Sequence, residues 1–280
     1  MHQADLNSSP GSRWIESQGP AATIAMHFPY YFDFLGWRVH PHIVLEGLGY
    51  FAGARLYFVL RRRGTNPADR LPLETNLWLL VGGIFGAWVG SKLLAWAESP
   101  LFYLTLARTD PAALFDGKTI VGGLLGGWVG IELAKKHLGL TRSTGDLFVW
   151  PLALGTAVGR LGCFLTGLSD KTYGFATALP WGVDFGDGQP RHPTQLYECA
   201  YVLALATGLH FALRGRSLPA GGRFRLYSAG YFAFRFLVEF IKPRETPWLG
   251  LSAIQLASLV GITCACVSLR RRPPVGLHPA

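Results

Sequence analysis

Long stretches of the chain run almost without a polar residue, separated by short connections rich in arginine, proline and glycine. A helix needs about 20 mostly apolar residues to cross a bilayer. That criterion predicts seven spanning helices, at 42–60, 77–97, 119–134, 147–167, 196–213, 226–241 and 252–269. The third and sixth are short, and the first carries Glu46 and Arg55. Glycines recur four apart in the second (Gly82, Gly86, Gly90) and in the third (Gly122, Gly126, Gly130). Such ridges let two helix backbones approach closely; a groove that admits a lipid or peptide chain is the other reading. The expected fold is an all-α integral membrane protein, with a polar segment at 1–41, a seven-helix domain at 42–269 and a basic tail at 270–280. Residues 1–26, with Asp5, Arg13 and Glu16 and no apolar core, do not read as a cleavable signal peptide.

Composition agrees. Half of the 280 residues are hydrophobic and 15% are charged, against about 25% in an ordinary globular domain. That excludes a disordered chain and argues against a soluble enzyme. The 9 Trp, 10 Tyr and 18 Phe suit aromatic anchoring at membrane interfaces. A net charge of +9 would raise nucleic-acid binding in a soluble protein, but no basic patch interleaves with exposed aromatics. The cations instead follow the connections. Fourteen lie at 61–76, 135–146, 214–225 and 270–272, and eight on the opposite side, among them Arg38, Lys118, Arg191 and Lys242. By the positive-inside rule the N-terminus is outside and the C-terminus cytoplasmic. Cys163, Cys199, Cys264 and Cys266 form no CxxC pair and no cluster with histidine in sequence. They read as small buried hydrophobes, with neither disulfide nor structural metal expected and no motif for an organic cofactor.

An ionisable residue at membrane depth marks a functional site by default. Arg160 sits near the outer end of the fourth span, and Arg235 and Glu239 share one face of the sixth, four residues apart. The bland reading is a neutralised pair and a snorkelling arginine. The sharper one is an anion cavity, because two guanidinium forks match a phosphate and apolar helices beside them can hold acyl chains.

Four blocks sharpen this further: GRLGCFLTG at 159–167 followed by Gly174, RHPTQLYE at 191–198, GYFAFRFLVEF at 230–240 and LSAIQLAS at 251–258. With DGKTIVGG at 116–123, they make the chain resemble the prolipoprotein diacylglyceryl transferases of bacteria, over about 38–269. The resemblance implies a seven-span inner-membrane enzyme that moves a diacylglyceryl group from phosphatidylglycerol to the cysteine thiol of a lipobox-bearing precursor, releasing glycerol phosphate. It implies that Arg160 binds the lipid phosphate, with Gly159, Gly174, His192 and Gln195 around the headgroup. Arg235, Glu239 and His42 would be the catalytic residues. The chain departs from the family pattern at Val121, where a histidine is usual, at Cys163 for asparagine and at Leu168 for an acidic residue. His42 stands where a tyrosine is expected, and residues 169–173 are extra.

The reaction so implied needs a base for the acceptor thiol, since only the thiolate is a strong nucleophile. His42, His192 and Glu239 are the candidates; His192 beside Pro193 also suits a structural role at a helix start. Cys163 reads as a core residue, with a nucleophile as its alternative. Three functions stay open: the diacylglyceryl transferase, a divergent paralogue using another acceptor, and a non-catalytic lipid-binding protein.

Overall fold

The computed structural model describes residues 28–63, 71–115, 117–141, 143–216, 218–245 and 248–270. The segments 1–27 and 271–280, with most of the expected outer segment and basic tail, lie outside the described residues, as do Asp116 and Arg142.

Each of the seven apolar stretches is a helix. In chain order they are α1 (Pro41–Arg63), α2 (Leu73–Glu98), α4 (Ile120–His137), α5 (Val149–Thr166), α6 (Thr194–Ala212), α7 (Gly222–Val238) and α8 (Ala253–Arg270). A helix that the hydropathy pattern does not announce, α3 (Pro100–Thr109), follows α2 directly. Its 10 residues are too few to cross a bilayer. There are also two small antiparallel hairpins, β1 (Phe32–Phe34) with β2 (Trp37–Val39) and β3 (Val183–Asp184) with β4 (Pro190–Arg191), and short 3-10 turns. By length and composition, four helical stretches among the described residues suffice to cross a membrane: α1, α2, α8 and the run Asp146–Asp170 that contains α5. The other long helices are marginal for local reasons. α4 ends in Glu132, Lys135 and Lys136, and α7 has only 17 residues.

The helix faces turned outward are hydrocarbon. Along α2, Leu77, Trp78, Leu80, Val81, Ile84, Phe85 and Trp88 are all exposed. A patch of that extent drives association in water, whereas lipid solvates it at no cost. Inside, Val121, Ala153, Ala157, Val202, Tyr227, Tyr231 and Phe232 form one core where α4, α5, α6 and α7 meet.

Two helix pairs pack through glycine. α2 and α4 approach so closely that a Cβ added at Gly126 would lie 2.1 Å from the Gly86 carbonyl oxygen, and one at Gly86 would lie 2.2 Å from that of Gly126. The small-residue ridges therefore bury each other, and the lipid-groove reading of them falls away. α1 packs on α5 in the same manner, with a Cβ at Gly49 reaching 2.8 Å from the Gly155 carbonyl oxygen. The start of α8 is fastened by a reciprocal capping box. The Ser252 hydroxyl accepts from the Gln255 N–H at 3.1 Å, and the Gln255 side-chain oxygen accepts from the Ser252 N–H at 3.1 Å. Glu98, at the end of α2, accepts from the Ile254 N–H at 3.0 Å and so meets the positive end of α8.

Gly126→Ala should force α2 and α4 apart, because backbone rather than a flexible side chain occupies the space. Overpacking of this kind costs about 1–3 kcal/mol. Thermal unfolding of the detergent-solubilised protein should show a lower midpoint for Gly126→Ala, and an unchanged midpoint would mean that the close approach carries no stability.

Candidate functional site

The ends of α5 and α7 and the start of α6 come together at one level, so the charges on antiparallel helices share a depth. Sequence spacing alone leaves that open. Arg160 on α5 and Arg235 on α7 converge on the same oxygen of Glu198 on α6. Arg160 Nε lies 2.8 Å from Glu198 Oε2, and Arg235 Nη1 donates to it at 2.8 Å. The Tyr231 hydroxyl donates to Glu198 Oε1 at 2.6 Å. Arg235 Nη2 donates to Glu239 Oε1 at 2.5 Å, which is the pair expected from their spacing. Lys242 Nζ approaches that oxygen to 3.5 Å, and the Arg244 guanidinium donates to the Glu239 carbonyl. All of Arg160, Glu198, Arg235, Glu239 and Lys242 are buried. The pair is thus part of a four-member chain, Arg160–Glu198–Arg235–Glu239.

Glu198 is the member that residue-by-residue reasoning missed, although it stands inside the RHPTQLYE block. Charge balance could have found it. Two buried arginines against Glu239 alone leave an excess of positive charge, to which buried Lys242 adds, and that excess favours a second carboxylate.

One turn before Glu198, Gln195 is 1% exposed, and among the described residues neither its amide nitrogen nor its amide oxygen has a hydrogen-bond partner. Arg235 Nε is likewise buried without one, although buried polar atoms are normally paired. Gly159, next to Arg160, faces open space, with nothing within 4 Å of where a Cβ would stand. Gly162 does something else: a Cβ there would press on Leu45 and on the His42 backbone, so it seats α1 against α5.

Gly174 and His192 prove to be bound to each other. The Gly174 N–H donates to the His192 carbonyl at 2.9 Å, and a Cβ at Gly174 would lie 2.6 Å from His192 Cβ. The His192 ring meets the Tyr197 hydroxyl at 3.1 Å, and Trp181 Nε1 donates to that hydroxyl at 2.8 Å. This arrangement ties the His192 ring to Tyr197 at its own helix start. Nearby, Arg191 donates to Asp187 Oδ2 at 2.8 Å, and its guanidinium holds the exposed Asp187 carboxyl below the ordinary carboxylate range. Pro193 occupies the residue just before α6, where its missing N–H does no harm.

His42 lies in the first turn of α1 and is reached from two sides. Its Nε2 is 3.2 Å from Glu46 Oε2, and its Nδ1 is 3.3 Å from Asp170 Oδ1 and 3.8 Å from Cys163 Sγ. Lys118 and the Tyr50 hydroxyl hold Glu46 Oε1, at 2.5 and 2.9 Å. Thr172 donates to Asp170 Oδ2. Arg160 Nη1 stands 3.7 Å from Cys163 Sγ, so this second cluster touches the first. Cys163 is therefore buried, but beside a guanidinium and an imidazole instead of in hydrocarbon alone. Residues 169–173, an insertion by sequence, deliver Asp170 to His42. Val121, where the related pattern has histidine, is 1% exposed within the hydrophobic core.

Comparison with known proteins is consistent across the chain. Over residues 29–270 it matches the family described as prolipoprotein diacylglyceryl transferase. A phosphatidylglycerol–prolipoprotein diacylglyceryl transferase of Geobacter sulfurreducens is 33% identical over 269 residues, covering 88% of this chain and 99% of the relative. One of Bordetella parapertussis is 33% identical over 227 residues, covering 75% and 82%. One of Vibrio vulnificus is 35% identical over 205 residues, covering 69% and 72%. With a match that runs from the first hairpin to the end of α8, the chain belongs to the prolipoprotein diacylglyceryl transferase family.

Proposed function

We propose that this protein is a transferase that moves the diacylglyceryl group of phosphatidylglycerol to the cysteine thiol of a lipobox-bearing precursor, with glycerol phosphate as the leaving group. The observation that carries this reading is the convergence of Arg160 and Arg235 on Glu198 at the ends of three apolar helices, beside the unpaired amide of Gln195. Two fixed guanidiniums in a water-poor site stabilise the charge that grows on a departing phosphate. Glu198 and Glu239 hold them in place before the lipid arrives, so little reorganisation remains for the reacting complex. Gln195 supplies a donor and an acceptor for the glycerol hydroxyls. The outward apolar faces of the helices suit the acyl chains and the surrounding membrane lipid.

The acceptor thiol is activated at the His42 end. Glu239 is committed to Arg235 and Lys242, and His192 to Tyr197, so neither is free to serve as base. His42 keeps 22% of its side chain exposed and lies one residue, Cys163, away from Arg160. This reading includes seven crossings with the N-terminus outside, which puts the α5, α6 and α7 site on the outer side of the bacterial inner membrane. The partition of 14 cations against eight supports that orientation. A divergent paralogue with a different acceptor is the second reading, favoured by one observation: hydrocarbon fills the Val121 position where the family has histidine.

The decisive assay incubates purified protein with acyl-labelled phosphatidylglycerol and a lipobox peptide. Label on the peptide thiol is the expected outcome. Label on some other acceptor would establish the second reading, and no transfer at all would leave a lipid-binding protein. In the same assay Arg160→Lys keeps the charge but loses the planar fork, and its turnover should fall about a hundredfold, the scale of losing one preorganised donor. Equal turnover would reduce Arg160 to an anchor. Glu198→Gln should destabilise the fold more than Arg160→Lys. It takes the paired carboxylate from buried Arg160 and leaves Arg235 with Glu239 alone, and breaking a buried pair costs about 3–5 kcal/mol. A steep drop in the thermal midpoint checks this; a midpoint within a degree or so of wild type would mean that solvent or lipid neutralises the arginines. Reporter fusions placed within 61–76 and after Arg272 should both report cytoplasm, and a periplasmic signal from either overturns the orientation.

A further inference from the structure

His42, Cys163 and Asp170 come from the start of α1, the last turn of α5 and the turn that follows it, 121 and 128 positions apart along the chain. One ligand atom from each lies within 4.8 Å of the other two. Bound to one tetrahedral zinc ion, with bonds of 2.0–2.3 Å, such atoms would be separated by about 3.3–3.6 Å. Two of the three separations are 3.3 Å from Nδ1 to Oδ1 and 3.8 Å from Nδ1 to Sγ, and the third is within 4.8 Å.

The hydrogen bonding around the ring makes this spacing informative. Glu46 Oε2 stands at 3.2 Å from Nε2 and can only accept, so Nε2 carries a proton. In the neutral ring Nδ1 then presents a lone pair. That lone pair faces a carboxylate oxygen, which repels it unless a proton or a cation lies between, and a sulfur, which repels it as the thiolate. A proton on Nδ1 satisfies one of the two. A dication satisfies both.

We propose that these three residues form a zinc-class metal site, and that the metal binds and activates the acceptor thiol. This rests on the transferase reading above and supplies its missing step. The composition is one thiolate, one imidazole and one carboxylate, which selects zinc over magnesium or calcium. Three protein ligands leave a fourth position open, as in catalytic rather than structural zinc sites. Supporting contacts stand behind two of the ligands: Glu46 on the far nitrogen of His42, itself held by Lys118, and Thr172 on the second oxygen of Asp170. The Cys163 thiolate and the Asp170 carboxylate neutralise the dication. The adjacent Arg160 is already balanced by Glu198 and donates toward Sγ from 3.7 Å.

The step balances without any redox change. The acceptor thiol enters the open position and loses its proton to solvent. Its sulfur forms an S–C bond with the glyceryl carbon as the C–O bond to phosphate breaks. That bond's electron pair stays on the phosphate oxygen, facing the two arginines.

The full-length protein in detergent, stripped with a chelator, is titrated with Co2+ alone. One equivalent should produce a thiolate-to-cobalt band in the near ultraviolet and the strong visible bands of a tetrahedral site, and Zn2+ should bleach both. Cys163→Ser should lose the near-ultraviolet band, while a Cys264→Ser, Cys266→Ser double variant keeps it. Asp170→Asn and Glu46→Gln should bind Co2+ about 10–100-fold more weakly. Wild-type protein that takes up no Co2+, or a band that survives Cys163→Ser, overturns the site and leaves an imidazolium held between two carboxylates. Because wild-type protein carries the first of these readouts, a variant that misfolds does not blur the result. The transfer assay on the same preparation separates the two proposals. Transfer abolished by the chelator and restored by Zn2+ supports both. Transfer that ignores the chelator removes the metal's role and keeps the transferase. Cobalt binding without transfer under any metal removes the transferase and keeps the site.

Discussion

Glu198 is the constraint on which the rest of the site depends. A carboxylate that is 2% exposed at the end of an apolar bundle has to be surrounded by donors, and Arg160, Arg235 and Tyr231 surround it. Those three contacts join α5, α6 and α7 at one level and fix where each helix stops relative to the others. Without Glu198, two guanidiniums would face each other across a space with little water to screen them. With it, both are held with part of their fork still available. The ion-pair chain is therefore as much a helix clamp as a binding device. Buried pairs are poor sources of net stability, so the functional use of these arginines explains their presence better than stability does.

The clamp works because backbones elsewhere are pressed together. Between the glycine faces of α2 and α4, and of α1 and α5, almost no side chain intervenes. In lipid there is little hydrophobic drive between helices, and close packing has to supply the association. The α1–α5 contact also places His42. Gly162 lies against the His42 backbone, which places the imidazole within reach of Cys163 one residue further along α5. A larger residue at position 162 would move His42 away from the sulfur without touching either side chain directly.

Much of this was legible along the chain, and the exceptions have physical reasons. Hydropathy locates α1, α2 and α4 to α8 because an apolar stretch of spanning length is a signal that tertiary contacts cannot reverse. It passes over α3, whose polar residues break the apolar run although the helix forms. The i, i+4 spacing of Arg235 and Glu239 announces their pair, since helix geometry alone sets that distance. Glu198, Asp170 and Cys163 are different. Their roles arise from contacts between elements, and no local pattern marks a carboxylate as the partner of an arginine on another helix. Gly174 and Gly162 show the converse. Both stand in recognisable blocks beside site residues, yet each is small because protein packs against it.

Arg160 links the two clusters. Its Nε meets Glu198 in the ion-pair chain, and its Nη1 reaches toward Cys163 beside His42. In the transferase proposed above, this one rigid planar group would serve both the leaving phosphate and the thiol side. Charge growing on the phosphate would draw on the same guanidinium, and the two ends would be electrostatically coupled. A lysine cannot reproduce that coupling, because a point charge serves one end or the other. On the same proposal His42 would take the part of a histidine at position 121. Residue 121 lies in the hydrophobic core, whereas His42 and Asp170 lie beside the sulfur that Arg160 approaches. Thiol activation could then shift between helices, because one guanidinium reaches toward both Glu198 and Cys163.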